Sequence, residues 1–367
     1  MIGGFLGAGK TTTIARLARR LVDRGHRVGL VTNDQAYQLV DTQFLRAEGF
    51  DVGEVAGACF CCKFNDLVET VGRLAAVERP EFIIAEPVGS CTDLVATVVE
   101  PLKHLYGRQY EIAPYVVLLK PEHGRKILSA EAGTGFSPKA AYLFLKQIEE
   151  ADVVAINKID KLSDAEQAEL IELIQRRFPG KEVLRLSARR GDGFDRLLDV
   201  LNRPEPAKRI TPEINYDTYA EGEAELGWLN CTIRITSASE QAAADFSLDG
   251  LLVDFAEGLR EKLHQAGAET AHLKILATEG QDSAIVNLVS SRTPVELSKA
   301  AQVSVSRAEL TLNARVATDP DQLAGLVRQE TTTLARRHKL KATISDEQSF
   351  RPSRPVPTHR MRVATRD

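Results

Sequence analysis

Over the first 205 residues, short apolar runs alternate with longer stretches in which apolar residues recur every three or four positions. The runs predict strands at Arg27–Thr32, Asp51–Val55, Glu81–Ala85, Tyr115–Leu119, Val153–Ile156 and Val183–Leu186. Ile14, Leu17 and Leu21 give the stretch Thr12–Arg24 one helical face. Brief strands separated by helices predict an α/β domain over 1–205, a mostly parallel sheet with helices on both faces. Beyond residue 203 the pattern breaks. Pro204, Pro206 and Pro212 stand among charged residues, and 206–225 reads as a linker.

A second pattern covers 226–350. Leu229–Ile235 predicts a strand. Leu248, Leu251, Leu252, Phe255, Leu259 and Leu263 mark an amphipathic helix. Further strands are predicted at His272–Ala277 and Ala284–Val289. In Arg307–Val316, Ala308, Leu310, Leu312, Ala314 and Val316 alternate with Arg307, Glu309, Thr311, Asn313 and Arg315. Asp319-Pro320 suits the cap and first position of a helix reaching His338. This predicts a smaller α+β domain with one sheet face covered by helices. Residues 351–367 carry five arginines and three prolines without a period, which predicts a disordered basic tail.

Candidate chemistry begins at Gly4-Phe5-Leu6-Gly7-Ala8-Gly9-Lys10-Thr11, which fits the phosphate-binding pattern G-x-x-x-x-G-K-[ST] without a mismatch. Its glycines let backbone N–H groups turn inward toward phosphate oxygens. Lys10 offers a charge to the β- and γ-phosphates. Thr11 offers a hydroxyl to Mg²⁺, and Thr12 opens the helix on whose N-terminus the phosphates would rest. The pattern expects a buried strand in front of the loop, yet only Met1, Ile2 and Gly3 precede Gly4. The reading preferred here is that the chain starts further upstream; the alternative is that the strand is absent.

Asn157-Lys158-Ile159-Asp160 follows an apolar strand. A carboxylate at Asp160 can accept from both N1–H and the 2-amino group of guanine, a donor pair that adenine lacks. Ser187-Ala188 closes the next strand, where a backbone N–H can meet the guanine oxygen. Glu86-Pro87-Val88-Gly89 places a carboxylate for Mg²⁺ and, at Gly89, an N–H able to sense the γ-phosphate. Ser90 stands where many GTP hydrolases carry a water-orienting glutamine. Asp34 could add a second magnesium-side carboxylate, or Asn33-Asp34 could be an ordinary turn.

Composition narrows the remaining options. A net charge of −4 in 367 residues gives no reason to expect nucleic-acid binding. No run of 18 apolar residues predicts a membrane span, and no leader is visible. Five cysteines, three of them in Cys59-Phe60-Cys61-Cys62, do not suit a disulfide framework and fit a reducing cytoplasm. Thiolates at Cys59, Cys61 and Cys62 would take a soft or borderline ion such as Zn²⁺ or Co²⁺, with Gly57 permitting the turn that makes them converge. Three ligands leave a fourth position open, which suits a metal that must leave again. The alternative is a buried or redox-active cysteine cluster. Cys91 reads as a plain small residue, Cys231 as core, and the histidines as surface or packing.

Together G-G-F-L-G-A-G-K-T-T at 3–12, G-A-C-F-C-C at 57–62, E-P-V-G at 86–89 and N-K-I-D at 157–160 resemble the CobW/UreG/HypB family of metallochaperone and cofactor-maturation GTPases. The resemblance implies a P-loop GTPase fold followed by a CobW-like C-terminal domain. It implies weak intrinsic GTP hydrolysis with Lys10, Asp34 and Glu86 in the catalytic site. It also implies a nucleotide- or metal-dependent homodimer, and delivery of Zn²⁺, Co²⁺ or Ni²⁺ to a client metalloenzyme or cofactor-assembly protein. Cys59, Cys61 and Cys62 match the C-x-C-C metal motif of the CobW branch. Thr32-Asn33-Asp34 looks more like the urease-accessory branch, and no histidine-rich tract is present. A second reading is a G-protein that gates a cobalamin or metalloenzyme client without carrying metal. A third is an ATP-using P-loop enzyme.

Overall fold

The computed structural model describes residues 1–36, 39–77, 79–129, 137–203, 209–237 and 245–362. Pro204 and Pro206 of the expected linker, and residues 363–367 of the expected tail, lie outside these. The chain divides into two compact units. One comprises Met1–Gln35, Leu45–Gly222 and Arg354–Asp367; the other comprises Ala36–Phe44 and Glu223–Ser353.

The first unit runs β1 (Ile2–Gly4), α1 (Lys10–Asp23), β2 (Val28–Asp34), α2 (Val40–Ala47, its last turn only), β3 (Asp51–Ala56), α3 (Phe64–Val77), β4 (Phe82–Glu86), α4 (Glu100–Tyr106), β5 (Val116–Leu119), α5 (Pro121–Leu128), α6 (Pro138–Glu150), β6 (Val153–Ile156), α7 (Asp164–Arg177), β7 (Glu182–Arg185), α8 (Phe194–Leu201) and α9 (Tyr216–Ala224). All strand pairs are parallel, in the orders β3-β2-β4 and β1-β5-β6-β7. The six expected strands appear with ends shifted by at most two residues. Short Val- and Leu-rich strands buried on both faces, such as Val116–Leu119 and Val153–Ile156, are what a helix-covered parallel sheet requires. The helices carry the expected end signals. Ser163 and Glu166 form a capping box on α7, and Ser137 caps α6 ahead of Pro138.

The strand in front of the phosphate loop is present. Ile2, Gly3 and Gly4 pair with Val116, Val117 and Leu118.

The second unit is a six-stranded antiparallel sheet in the order β12-β11-β10-β14-β8-β15. Its strands are β8 (Gly227–Ser237), β10 (Glu269–Glu279), β11 (Asp282–Leu288), β12 (Glu296–Lys299), β14 (Arg307–Ala317) and β15 (Leu340–Phe350); β9 (Phe246–Ser247) and β13 (Ser304–Val305) form a small separate pair. Helices α10 (Leu248–Gln265) and α11 (Pro320–His338) bury one face, where Leu310, Leu312, Ala314 and Val316 meet Leu251, Phe255, Leu323 and Val327. The other face is covered as well. Val40 packs with Leu276 and Ile285, and the Val40 N–H donates to Asn313 Oδ1 (2.8 Å). Asp41 pairs with Lys274 Nζ (2.6 Å). The expectation of one covered face therefore gives way, because residues following β2 join this sheet.

Two further expectations change. Part of the expected linker is structured: Arg209 is buried and paired with Asp152 (3.1 Å) and Glu100 (3.5 Å), and α9 occupies Tyr216–Ala224. The tail is ordered through Arg362. Arg360 meets the buried carboxylate of Asp93 (2.8 Å), and the Met361 N–H donates to Ala96 O (2.8 Å). A basic, proline-rich segment lacks a hydrophobic period but still orders when it finds a buried acid.

Candidate functional site

The sequence-selected residues of the first unit gather at the C-terminal ends of its parallel strands, where open α/β sheets place their ligands. The phosphate loop joins β1 to α1. Lys10 is buried, and its Nζ folds back on Gly4 O (3.2 Å). Thr11 Oγ1 donates to Glu86 Oε1 at the end of β4 (3.0 Å). This brings together the hydroxyl and carboxylate expected to serve Mg²⁺. Thr12, one residue on, is exposed. Gly9 lies against Asn157, and a Cβ there would fall 2.5 Å from Asn157 Nδ2. Asn157 fastens two loops at once: Nδ2 donates to Ala8 O (2.8 Å), while Oδ1 accepts from Lys158 N–H (2.8 Å) and Ala188 N–H (2.9 Å). The loop and its surroundings thus fit a nucleotide phosphate chain.

Asp160 accepts from the Ser187 hydroxyl (2.6 Å), and Ser187 Oγ in turn accepts from the Arg190 N–H (3.1 Å). Burial works against the charged form of Asp160. The bond from Ser187, its own backbone N–H and the charges of Arg190 and Lys161 outweigh it, so the carboxyl sits below its ordinary range. It is an ionised acceptor at neutral pH, as a partner for the guanine donor pair must be.

The three cysteines converge. Cys59 Sγ lies 2.8 Å from Cys61 Sγ and 3.3 Å from Cys62 Sγ, and the last two are 3.8 Å apart. Gly57 enters the loop at φ 88°, the left-handed conformation its turn requires. The brace is Asn33, a residue the sequence left open as a turn. Its Nδ2 donates to Val55 O and Ala58 O (both 2.8 Å), and its Oδ1 accepts from the Phe60 N–H (2.8 Å). The cysteine loop is therefore tied to the strand that ends, one residue later, in Asp34. Hydrogen bonds from Cys61, Cys62 and Cys91 outweigh burial at Cys59 and hold its thiol well below the usual range. Cys61, bonded to Cys59 and Cys62 and buried, is pushed well up; Cys62 rises to about 11, chiefly through its contact with Cys59. One sulfur is thus held toward its ionised form by bonds from three thiols.

Sequence reasoning missed two sets of contacts around this cluster. The tail crosses it: Val356 N–H donates to Cys62 Sγ (3.3 Å), Thr358 N–H to Cys61 O (2.8 Å), and Thr358 Oγ1 to Cys62 O (3.0 Å). The segment after Gly89 is clamped from α6. Gln147 Nε2 donates to Gly89 O (3.0 Å) and Cys91 O (2.8 Å), and Glu150 accepts from Thr92 Oγ1 (3.1 Å) and Val95 N–H (3.0 Å). No periodic signal announces polar residues that face inward from a helix.

Residues 1–185 match the family model for the CobW/HypB/UreG nucleotide-binding domain. The chain is 29% identical over 187 residues to a zinc chaperone CobW of Sinorhizobium sp, a match covering 44% of this chain and 50% of that protein. It is 28% identical over 177 residues to the zinc chaperone YeiR of Escherichia coli (strain K12), covering 46% and 48%. It thus spans about half the length of the curated relatives it matches. A solved structure of HypB from Helicobacter pylori in complex with nickel is 19% identical, with 54% of this chain and 82% of that one covered at a TM-score of 0.40. Among the described residues no helix is long and apolar enough to cross a membrane.

Proposed function

The chain belongs to the CobW/HypB/UreG family, and from that premise we propose that it is a GTP-hydrolysing metallochaperone. It carries a transition-metal ion on Cys59, Cys61 and Cys62 and passes it to a client metalloenzyme or cofactor-assembly protein. The observation that carries this reading is the convergence of three sulfurs within 4.8 Å of one another, on a loop braced to the strand that ends in Asp34. Zinc is the favoured cargo. It is borderline-soft and takes thiolates readily, and both curated relatives are named zinc chaperones; Co²⁺ and Ni²⁺ are the alternatives.

The phosphates of GTP lie on Gly4–Thr11, with Lys10 as the point charge and α1 directing its N-terminus at them. Thr11, Glu86 and Asp34 supply oxygens for Mg²⁺, which when bound neutralises charge developing on the transferred phosphoryl group. Asp160 reads guanine while the Ser187 hydroxyl holds its carboxylate and the Ala188 N–H bonds to Asn157. Turnover is slow, because Ser90 follows Gly89 where a water-orienting glutamine would stand. Nucleotide- or metal-dependent homodimerisation belongs to the same reading.

The deciding experiment is a zinc titration of the wild type and of a triple variant with Cys59→Ser, Cys61→Ser and Cys62→Ser, each with GTP, with GDP and with no nucleotide. One zinc per chain, lost in the variant and differing in affinity between nucleotide states, is expected. Equal weak binding by both proteins would overturn the carrier reading and favour a gate that bears no metal.

A further inference from the structure

Two of the three sulfur residues are sealed: Cys59 is 2% exposed and Cys61 1%. Of the three, Cys62 alone is partly open to solvent, so an ion enters or leaves past Cys62. One stretch of chain crosses that side. The Val356 N–H donates to Cys62 Sγ (3.3 Å), the Thr358 N–H to Cys61 O (2.8 Å) and Thr358 Oγ1 to Cys62 O (3.0 Å). The His359 ring stands edge-on against Phe64, the first residue of α3, with ring centres 4.9 Å apart. We propose that residues 354–361 are a strap over the sulfur cluster, a gate that sets how fast metal enters and leaves it. This rests on the carrier reading and assigns the access route that reading requires.

The strap is fastened away from the sulfurs. Arg360 Nε donates to Asp93 Oδ2 (2.8 Å), and Arg360 Nη2 donates to Pro212 O (3.1 Å). The Met361 N–H donates to Ala96 O (2.8 Å). At the other end Arg354 pairs with Asp217 (2.9 Å). Asp93 is a prepared partner. It is buried, it accepts from the Tyr216 hydroxyl (2.6 Å), and it sits at φ 65°, a left-handed conformation that a non-glycine residue keeps only where its surroundings hold it. Lifting the strap would take the arginine from this buried carboxylate, so the closed arrangement is the resting one.

The sequence of the strap suits a gate. Pro355 and Pro357 flank Val356, fix the backbone and have no N–H of their own. Residues 351–361 form no helix or strand, so the N–H groups of Val356 and Thr358 are free of any ladder and reach the cysteine loop instead. A stretch stiffened by prolines moves as a piece, so release of Arg360 also loosens Val356 and Thr358. The Val356 N–H has a second use once metal is bound, because a donor to a thiolate offsets the negative charge that the sulfurs bring. Closed, the strap therefore covers the cluster and favours its loaded form.

The test follows zinc leaving the loaded full chain for an excess of a colorimetric chelator, in the wild type, Thr358→Val, Arg360→Ala and Arg362→Ala. Thr358→Val removes one neutral bond from an exposed side chain and should speed release about fivefold. Arg360→Ala should speed it at least about tenfold. Arg362 pairs with the exposed Glu213 (3.5 Å), and Arg362→Ala should match the wild type. Zinc per chain should stay the same in all four. Equal release from the wild type, Thr358→Val and Arg360→Ala would overturn the gate. Two measurements on the metal-free chain keep the strap apart from the carrier reading. In the wild type the amide hydrogens of Val356, Thr358 and Met361 should exchange at least about tenfold more slowly than in an unstructured peptide; exchange at the peptide rate would overturn the strap with no variant needed. Iodoacetamide should label Cys62 faster in Thr358→Val and Arg360→Ala than in the wild type, and equal labelling would count against the strap. Failure of the carrier reading alone removes the bound zinc and leaves these two results standing; failure of the strap alone leaves zinc bound and released at one rate from all four proteins.

Discussion

Asn33 offers the sharpest single perturbation of the cysteine loop. Its side chain closes three hydrogen bonds, all 2.8 Å, to Val55 O, Ala58 O and the N–H of the fully buried Phe60. Asn33→Ala removes all three without inserting bulk. At about 1 kcal/mol net for each neutral bond, the arrangement of the loop loses about 3 kcal/mol. Metal binding must then restore the geometry that Asn33 supplies in advance. With 1.4 kcal/mol to a decade, zinc affinity should fall by about 10²-fold. Nucleotide binding should remain, because Asn33 contributes nothing to the contacts among Gly4–Thr11, Asn157 and Asp160. Chelator-competition titration measures the first quantity, and fluorescent-nucleotide binding the second. A variant that keeps its nucleotide affinity and binds zinc within about twofold of wild type would refute the brace.

Other outcomes follow from neighbouring contacts. Gly89→Ala places a methyl 2.8 Å from Leu6 and 3.0 Å from Lys10 Nζ, and should slow GTP hydrolysis by at least about tenfold in a phosphate-release assay while the chain stays folded. Asp160→Asn exchanges an ionised acceptor for a partial donor; competition binding should show GTP affinity down by about 10²-fold or more, with xanthosine triphosphate gaining. Glu150 is raised by burial from 4.5 to about 8, so the folded chain keeps a proton that the unfolded chain releases. Its contribution to stability is present below pH 4.5 and is lost as pH rises toward 8, so Glu150→Gln should flatten that decline in urea unfolding series between these limits. Arg360→Ala leaves the buried Asp93 with Tyr216 and only the charge of Lys146, and should cost about 2 kcal/mol in denaturant unfolding and hasten iodoacetamide labelling of Cys62; an unchanged midpoint and labelling rate would show that the tail does not hold the loop.

Most of the sheet was legible because its signals are local. Val116–Leu119 and Val153–Ile156 are uninterrupted apolar runs buried throughout, and Arg307–Ala317 alternates in sequence although Thr311, Asn313 and Arg315 are buried too. β15 was not read: only Leu340, Ala342 and Ile344 alternate with polar residues, and the register shift between Ser345 and Gln348 ends that short pattern. The phosphate loop, Asp160 and the three cysteines were legible as motifs, since their chemistry fixes residue type at fixed spacing. Asn33, Gln147, Glu150 and the tail were not, because each acts on a backbone group distant in sequence, from 22 residues for Asn33 to 297 for Thr358. Cys91 shows the limit best. Alone it reads as a small residue, and only the fold sets it against Cys59.

Those distant contacts also determine which part of the segment after Glu86 can respond to nucleotide. Gly89 and Cys91 are held by the two bonds from Gln147, about 2 kcal/mol together. Beyond them Thr92 and Val95 bond to Glu150, and Asp93 meets both Tyr216 (2.6 Å) and Arg360. Displacing Asp93 would break its pair with Arg360 as well, at about 2 kcal/mol more. One charge-assisted bond from a γ-phosphate to the Gly89 N–H supplies about 1.5–3 kcal/mol. That is enough to shift Gly89 through Cys91 and too little to carry Asp93 along. A response of this segment to nucleotide would therefore be short and end at Asp93.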